Sequence, residues 1–184
     1  IIMKKKVLKL VLCVGLMAVL VCLDQLSKMW AVETLRPMLP KSIDIIKGVF
    51  ELHYLENKGM AFGLFANQQI FFYIVTGIFV IIGGYILYKT PENKRFLPMN
   101  IIVTVILAGA FGNLIDRAMN QYVVDFLYFS LIDFPIFNVA DCYVTIGVIL
   151  VAVWMVFVYK DAELKTVYGF KKAKNTNESG NGTN

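Results

Sequence analysis

The 184 residues are 58% hydrophobic and 17% charged, with a mean hydropathy of +0.67, a profile that excludes an ordinary soluble domain and points to an integral membrane protein. The formal net charge of +5 lies mainly at the ends of apolar runs, so it carries topology and argues against a nucleic-acid surface. Three cysteines without CxxC spacing and a single histidine, His53, give neither a disulfide framework nor a metal site.

Four runs approach the roughly 20 apolar residues needed to cross about 30 Å of hydrocarbon: Val7 to Leu23, Ile70 to Tyr88, Met99 to Ile115 and Cys142 to Tyr159. With their flanks they predict membrane helices over about 7–32, 69–88, 98–117 and 138–159, all within one membrane-embedded domain spanning 3–160. The first run follows lysines, as a cleaved signal peptide would, but no small-x-small site follows it. It is therefore expected to stay attached, with Met3 as the initiator. Cys13 and Cys22 follow Leu12 and Val21, residues too large for the position before a lipid-modified cysteine. Between the first two helices, about 36–66 is broken by Pro37, Pro40, Gly48, Gly59 and Gly63, and Val49 to Leu55 alternates as a strand lying on the membrane. Lys89 to Leu97 is a tight turn. Tyr122 to Phe137 is aromatic and β-prone and is expected to add strands to the same small sheet. Residues 161–184 are expected to be a largely disordered tail, being polar and rich in Lys, Asn, Ser and Gly from Lys171 onward.

Orientation follows from the lysines and arginines. With both termini inside, Lys4, Lys5, Lys6, Lys9, Lys89, Lys94, Arg95, Lys160, Lys165, Lys171, Lys172 and Lys174 are cytoplasmic, whereas Lys28, Arg36, Lys41, Lys47, Lys58 and Arg117 are outside. The excess inside favours that topology.

The depth of the acids then matters. At 1.5 Å per helical residue, Asp24 lies about 22 Å above Lys9, Asp116 about 27 Å above Pro98, and Asp141 about 28 Å from Lys160. Three helices thus deliver carboxylates to one level at the outer edge of the bilayer, where water reaches a reacting group; a transporter more often places its site near the midplane. Asp125 and Asp141 stand in strongly apolar sequence, where a carboxylate needs a partner or a task. Gly109, Asn113 and Asp116 form a stripe on the third helix, and Asn138 and Asp141, at i and i+3, face the same way if the fourth helix begins before them. Each has a bland use as well: Asn113 as interhelical glue, Asp24 and Lys28 as an ordinary i, i+4 ion pair.

Five motifs occur in order: Asp24-Gln-Leu-Ser-Lys28, Asn57-Lys-Gly-Met-Ala-Phe62, Gly109-Ala-Phe-Gly-Asn-Leu-Ile-Asp-Arg117, Val123-Val-Asp-Phe126 and Phe137-Asn-Val-Ala-Asp141. In order and spacing they closely resemble those of lipoprotein signal peptidase, or signal peptidase II, over about Met3 to Tyr159. The resemblance implies an all-α membrane protein of four transmembrane helices with a small extracytoplasmic β-cradle, acting as an intramembrane aspartyl protease without cofactor or metal. Its implied substrates are bacterial prolipoproteins, cut N-terminal to a diacylglyceryl-modified cysteine. Asp125 and Asp141 match the catalytic dyad; Asn57, Gly109, Asn113, Arg117 and Asn138 match positions lining the substrate site; Asp24, Lys28 and Asp116 match supporting positions. Ala108 departs from the pattern, standing where many members have a second glycine.

The chemistry has its own logic. Two carboxylates about 3 Å apart at an effective dielectric near 20 repel by on the order of 5 kcal/mol, so the pair keeps one proton near neutral pH. The ionised member then takes a proton from the attacking water and the other hydrogen-bonds the scissile carbonyl; the residues alone do not assign the two roles. No Gly-x-Ser-x-Gly elbow is present, and His53 is too isolated for a triad or a zinc site. The rival readings are a small proton-coupled transporter with Asp116, Asp125 and Asp141 as a relay, and a non-catalytic assembly subunit. Expected partners are lipidated prolipoprotein, membrane lipid and cyclic peptide-like inhibitors presenting a hydroxyl to the dyad, with the protein a monomer.

Overall fold

In hydrocarbon every backbone N–H and C=O must be paired within the chain, so the long apolar runs become helices. The structure, a computed structural model, describes residues 2–59 and 69–169. The runs form α1 (Ile2–Thr34), α2 (Gln69–Lys89), α3 (Leu97–Asn120) and α4 (Val139–Val153), the last continued by a π-helical turn over Trp154–Val158. Each is long and apolar enough to cross a membrane. At 1.5 Å per residue, α1 measures about 50 Å, so its ends stand clear of a core about 30 Å thick. The expected spans are all present, with α1 and α3 running a few residues beyond their predicted ends.

α3 is the central helix, packed against α1, α2 and α4. Some 56% of its most apolar stretch is buried, against 6% for α1 and for α4. Small residues allow this: a side chain at Gly109 would run into the Ala140 carbonyl oxygen of α4, and one at Gly112 into the Asp24 carboxylate of α1. Ala108 is fully buried beside them.

The extramembrane segments form one antiparallel sheet in the order β1 (Ser42–Ile46), β2 (Phe50–Asn57), β3 (Val123–Tyr128). β2 is the strand anticipated at Val49 to Leu55, extended to Asn57. From Tyr122 to Phe137 comes β3, a 3-10 turn over Ser130–Ile132, and a single bridge between Leu127 and Phe137. His53 lies within β2, its ring 5.9 Å from that of Tyr128. The sheet sits on the end of α1 through Ala31, Leu35, Tyr54, Val124 and Phe126. A second apolar cluster, with Leu87, Phe96, Met99, Leu107 and Tyr159, closes the opposite end of the bundle.

That second cluster corrects the expectation of a largely disordered tail for its first residues. Asp161–Tyr168 form a helix, α5, because Leu164 joins the cluster, Glu163 lies 3.2 Å from Arg95 and the Tyr168 hydroxyl lies 2.7 Å from that of Thr90. The remainder of the tail, from residue 170, lies outside the described residues. So do 60–68, which include Met60 to Phe62 of the second motif, Gly63 and the end of the anticipated β segment.

Candidate active site

β3 carries Asp125 beneath the sheet because it starts three residues after α3 ends and is tied to it: the Val124 N–H donates to Asp116 Oδ2 at 3.1 Å. Opposite, β2 ends at Asn57, whose Nδ2 donates to Asp125 Oδ2 at 2.7 Å. The Asn57 amide cannot reverse, since its Oδ1 accepts the Gly59 N–H at 2.9 Å. α4 begins with a capping box. Asn138 is the N-cap and accepts the Asp141 N–H at 3.0 Å, while Asp141 Oδ2 accepts the Asn138 N–H at 3.1 Å. This places Asp141 in the first turn of a helix, where backbone N–H groups favour negative charge.

Asn138 joins the two acids. Its Nδ2 donates to Asp125 Oδ1 at 2.6 Å and to Asn113 Oδ1 at 3.1 Å, and Asn113 Nδ2 donates to Asp141 Oδ1 at 2.8 Å. All four carboxyl oxygens of the pair therefore have a donor. Burial first and the nearby Asp141 charge second push Asp125 up to about 7, against the pull of the Asn57 and Asn138 amides and of Lys28. A proton is thus held on the pair near neutrality.

The two carboxyls open on a cavity of ≈ 580 Å³ lined by Asn57, Asn113, Arg117, Asp125 and Asp141 on its polar side and by Phe72, Phe79 and Phe134 among its apolar walls. Arg117 lies over the Phe72 ring, 4.1 Å from its centre, and its backbone carbonyl accepts the Tyr73 hydroxyl at 3.1 Å. Two residues matched to the substrate site lie elsewhere. Gly109 is in the α3–α4 contact and Asn138 is fully buried behind the dyad, so neither reaches the cavity wall.

The supporting residues meet on one ammonium. Lys28 Nζ is 2.8 Å from Asp24 Oδ2, 3.1 Å from Asp116 Oδ2 and 3.0 Å from Asn113 Oδ1. Asp116 pairs with Lys28 and not with the adjacent Arg117. Asp24 also accepts the Ala140 N–H at 2.9 Å, holding the first turn of α4 to α1. Gln25, inside the first motif, carries no signal in the sequence that sets it apart; its Nε2 donates to Asp116 Oδ1 at 2.9 Å and to the Gly112 carbonyl at 3.2 Å. Phe72 gave no signal, being one aromatic in an apolar run.

A family model described as signal peptidase (SPase) II matches residues 16–157, which include every polar residue of this site. This chain belongs to the signal peptidase II family. Lipoprotein signal peptidases of Clostridium tetani and Caldanaerobacter subterraneus subsp. tengcongensis are 37% and 40% identical to it, over 74% and 79% of this chain and 86% and 97% of theirs. That of Streptococcus thermophilus is 42% identical over 71% of this chain and 83% of its own. A bacterial membrane enzyme solved at 2.3 Å has a TM-score of 0.67 and 31% identity, covering 88% of this chain and 93% of that one. Another, solved at 1.9 Å, has a TM-score of 0.69 and 31% identity over 80% and 94%. Membership of the signal peptidase II family makes the chain a protease, and its four apolar helices make it a multi-pass membrane protein.

Proposed function

We propose that the protein is an aspartyl endopeptidase that removes the signal peptide from bacterial prolipoproteins, cutting N-terminal to the diacylglyceryl-modified cysteine at the outer face of the cytoplasmic membrane. The reading is carried by one observation: Asp125 and Asp141, from a strand and a helix start, share the Asn138 linkage on the wall of a cavity. One ionised and one protonated carboxyl suffice for hydrolysis, with no metal or cofactor. The ionised member takes a proton from water as its oxygen attacks the scissile carbon; the protonated one hydrogen-bonds the carbonyl oxygen and later supplies a proton to the leaving nitrogen. Arg117 and Asn57, on the same wall, are placed to hold substrate backbone. The apolar walls suit lipid-bearing substrate, and a cyclic peptide presenting a hydroxyl to the dyad would occupy the same space. A monomer contains every part.

Nothing supports the transporter alternative. Asp116 is fully used by Lys28, Gln25 and the Val124 N–H and lies behind the cavity rather than in a relay. The deciding assay uses detergent-purified protein and a diacylglyceryl-modified lipobox peptide, without added metal, ATP or ion gradient. Cleavage is expected, and Asp125→Asn and Asp141→Asn should each abolish it while thermal unfolding stays cooperative. Turnover retained by either variant removes the dyad assignment; dependence on a proton gradient would restore the transporter.

A further inference from the structure

Lys28 is 3% exposed and deep in the polar network, yet the hydrolysis just described gives it no task. An ammonium has three N–H donors and no acceptor. All three are engaged, by Asp24 Oδ2 at 2.8 Å, Asp116 Oδ2 at 3.1 Å and Asn113 Oδ1 at 3.0 Å. The sense of these hydrogen bonds cannot reverse, whereas a carboxamide can turn over and exchange its oxygen for its nitrogen at almost no steric cost. Asn113 is therefore the element whose orientation something else must decide.

The surrounding donors decide it. Asn113 Oδ1 faces the Lys28 ammonium and, at 3.1 Å, Asn138 Nδ2. The Asn138 amide is itself fixed, because its Oδ1 accepts the backbone N–H of Asp141 at 3.0 Å. Turning Asn113 over would press its amide hydrogens against two other donors, one of them charged, and would set its carbonyl oxygen against Asp141 Oδ1. That contact is tolerable only when the Asp141 carboxyl carries a proton. As built, Asn113 Nδ2 instead donates to Asp141 Oδ1 at 2.8 Å.

We propose that Lys28 is a positioning residue for the dyad: by fixing the sense of the Asn113 amide it keeps a donor against Asp141 and so holds that carboxyl in the form that takes a proton from the attacking water. The inference rests on the peptidase reading of the pair. The charged and titratable groups around it are Asp24 and Lys28 on α1, Tyr73 on α2, Asp116 and Arg117 on α3, Asp125 on β3, and Asp141 and Cys142 on α4.

The test compares two charge-balanced double variants on the lipidated lipobox peptide in detergent. Lys28→Met with Asp116→Asn removes the donor; Lys28→Gln with Asp116→Asn leaves a neutral donor in its place. The methionine pair is expected to lose roughly tenfold or more in kcat at pH 7 with KM within about twofold, and both limbs of its pH profile should move up by about one unit, so that turnover partly returns as pH is raised. The glutamine pair should stay within roughly threefold of wild type. A folded methionine pair whose limbs coincide with those of wild type, whatever its kcat, overturns the proposal, since a scaffold role alone changes rate without moving the limbs. If the methionine pair does not fold, the amide sense is read in the wild-type protein by NMR. Nuclear Overhauser contacts from the Asn113 amide hydrogens to Asp141 Hβ support the proposal, and contacts to Lys28 Hε overturn it. Turnover surviving Asp125→Asn or Asp141→Asn defeats the dyad itself, a result separate from the amide measurement.

Discussion

Asp125 is buried in a strand and raised from an ordinary value of 3.8 to about 7, first by that burial and then by the charge of Asp141. Between those two pH values the folded protein holds a proton that the unfolded chain has released, so stability falls as pH rises through that window and levels off above about 7. The contribution is at most on the order of 4 kcal/mol, shared with the partner acid. In detergent, the unfolding temperature of wild type should therefore decline from pH 4 to pH 7 more steeply than that of Asp125→Asn, and the variant should be the more stable at pH 8. Parallel curves would place the proton elsewhere. Turnover should fade over the same alkaline rise, because the member that donates to the carbonyl loses its hydrogen. Gly112 offers a contrasting test, one of space rather than charge. A Cβ there meets the Asp24 oxygen that binds Lys28, so Gly112→Ala should lower stability by roughly 1–3 kcal/mol and weaken catalysis with it. Unchanged unfolding would mean that α1 and α3 separate without loss.

Among the elements, α5 lies beyond the matched stretch of the family yet completes a core. Ending the chain after Lys160 removes Leu164 from the cluster with Leu87, Phe96 and Tyr159 and leaves Arg95 without Glu163. Loss of the buried leucine alone is worth roughly 1.5–3 kcal/mol, so the shortened protein should unfold at a lower temperature while cleaving normally when cold. An unaltered unfolding temperature would make α5 an ornament. Why α5 was invisible in the sequence is instructive: only half of its eight residues are apolar, and beyond the Lys160–Glu163 cap most of what holds it comes from distant partners such as Leu87, Thr90, Arg95 and Phe96. The membrane helices were legible because hydrocarbon demands long apolar runs regardless of partners. The Asn138–Asp141 spacing was legible only as a shared helix face on condition that the helix begin before Asn138; it begins at Val139, and Asn138 is its N-cap. What could not be read was which oxygen meets which nitrogen. Gly109 and Asn113 occupy neighbouring turns of one stripe, yet Gly109 meets the Ala140 backbone and Asn113 meets the dyad, a division set by how α4 crosses α3.

Four membrane-length helices put Lys9, the loop between α2 and α3, and α5 at one end of the bundle and the sheet, with Asp125 and Asp141, at the other. In the proposed orientation, with the lysine and arginine excess on the cytoplasmic face, the Asp125–Asp141 pair would stand where a translocated, lipidated substrate arrives. The arrangement is testable in intact cells. Lys47, in the β1–β2 turn, and Lys94, in the loop between α2 and α3, are both exposed and lie at opposite ends of the bundle. Single cysteines at these positions, Lys47→Cys and Lys94→Cys, should differ in reaction with a membrane-impermeant maleimide. The first should label in whole cells and the second only after lysis, over the background of the native Cys13, Cys22 and Cys142, all of which lie within helices. The reverse pattern would turn the dyad toward the cytoplasm, where a carboxyl pair of unaltered geometry would meet no exported substrate.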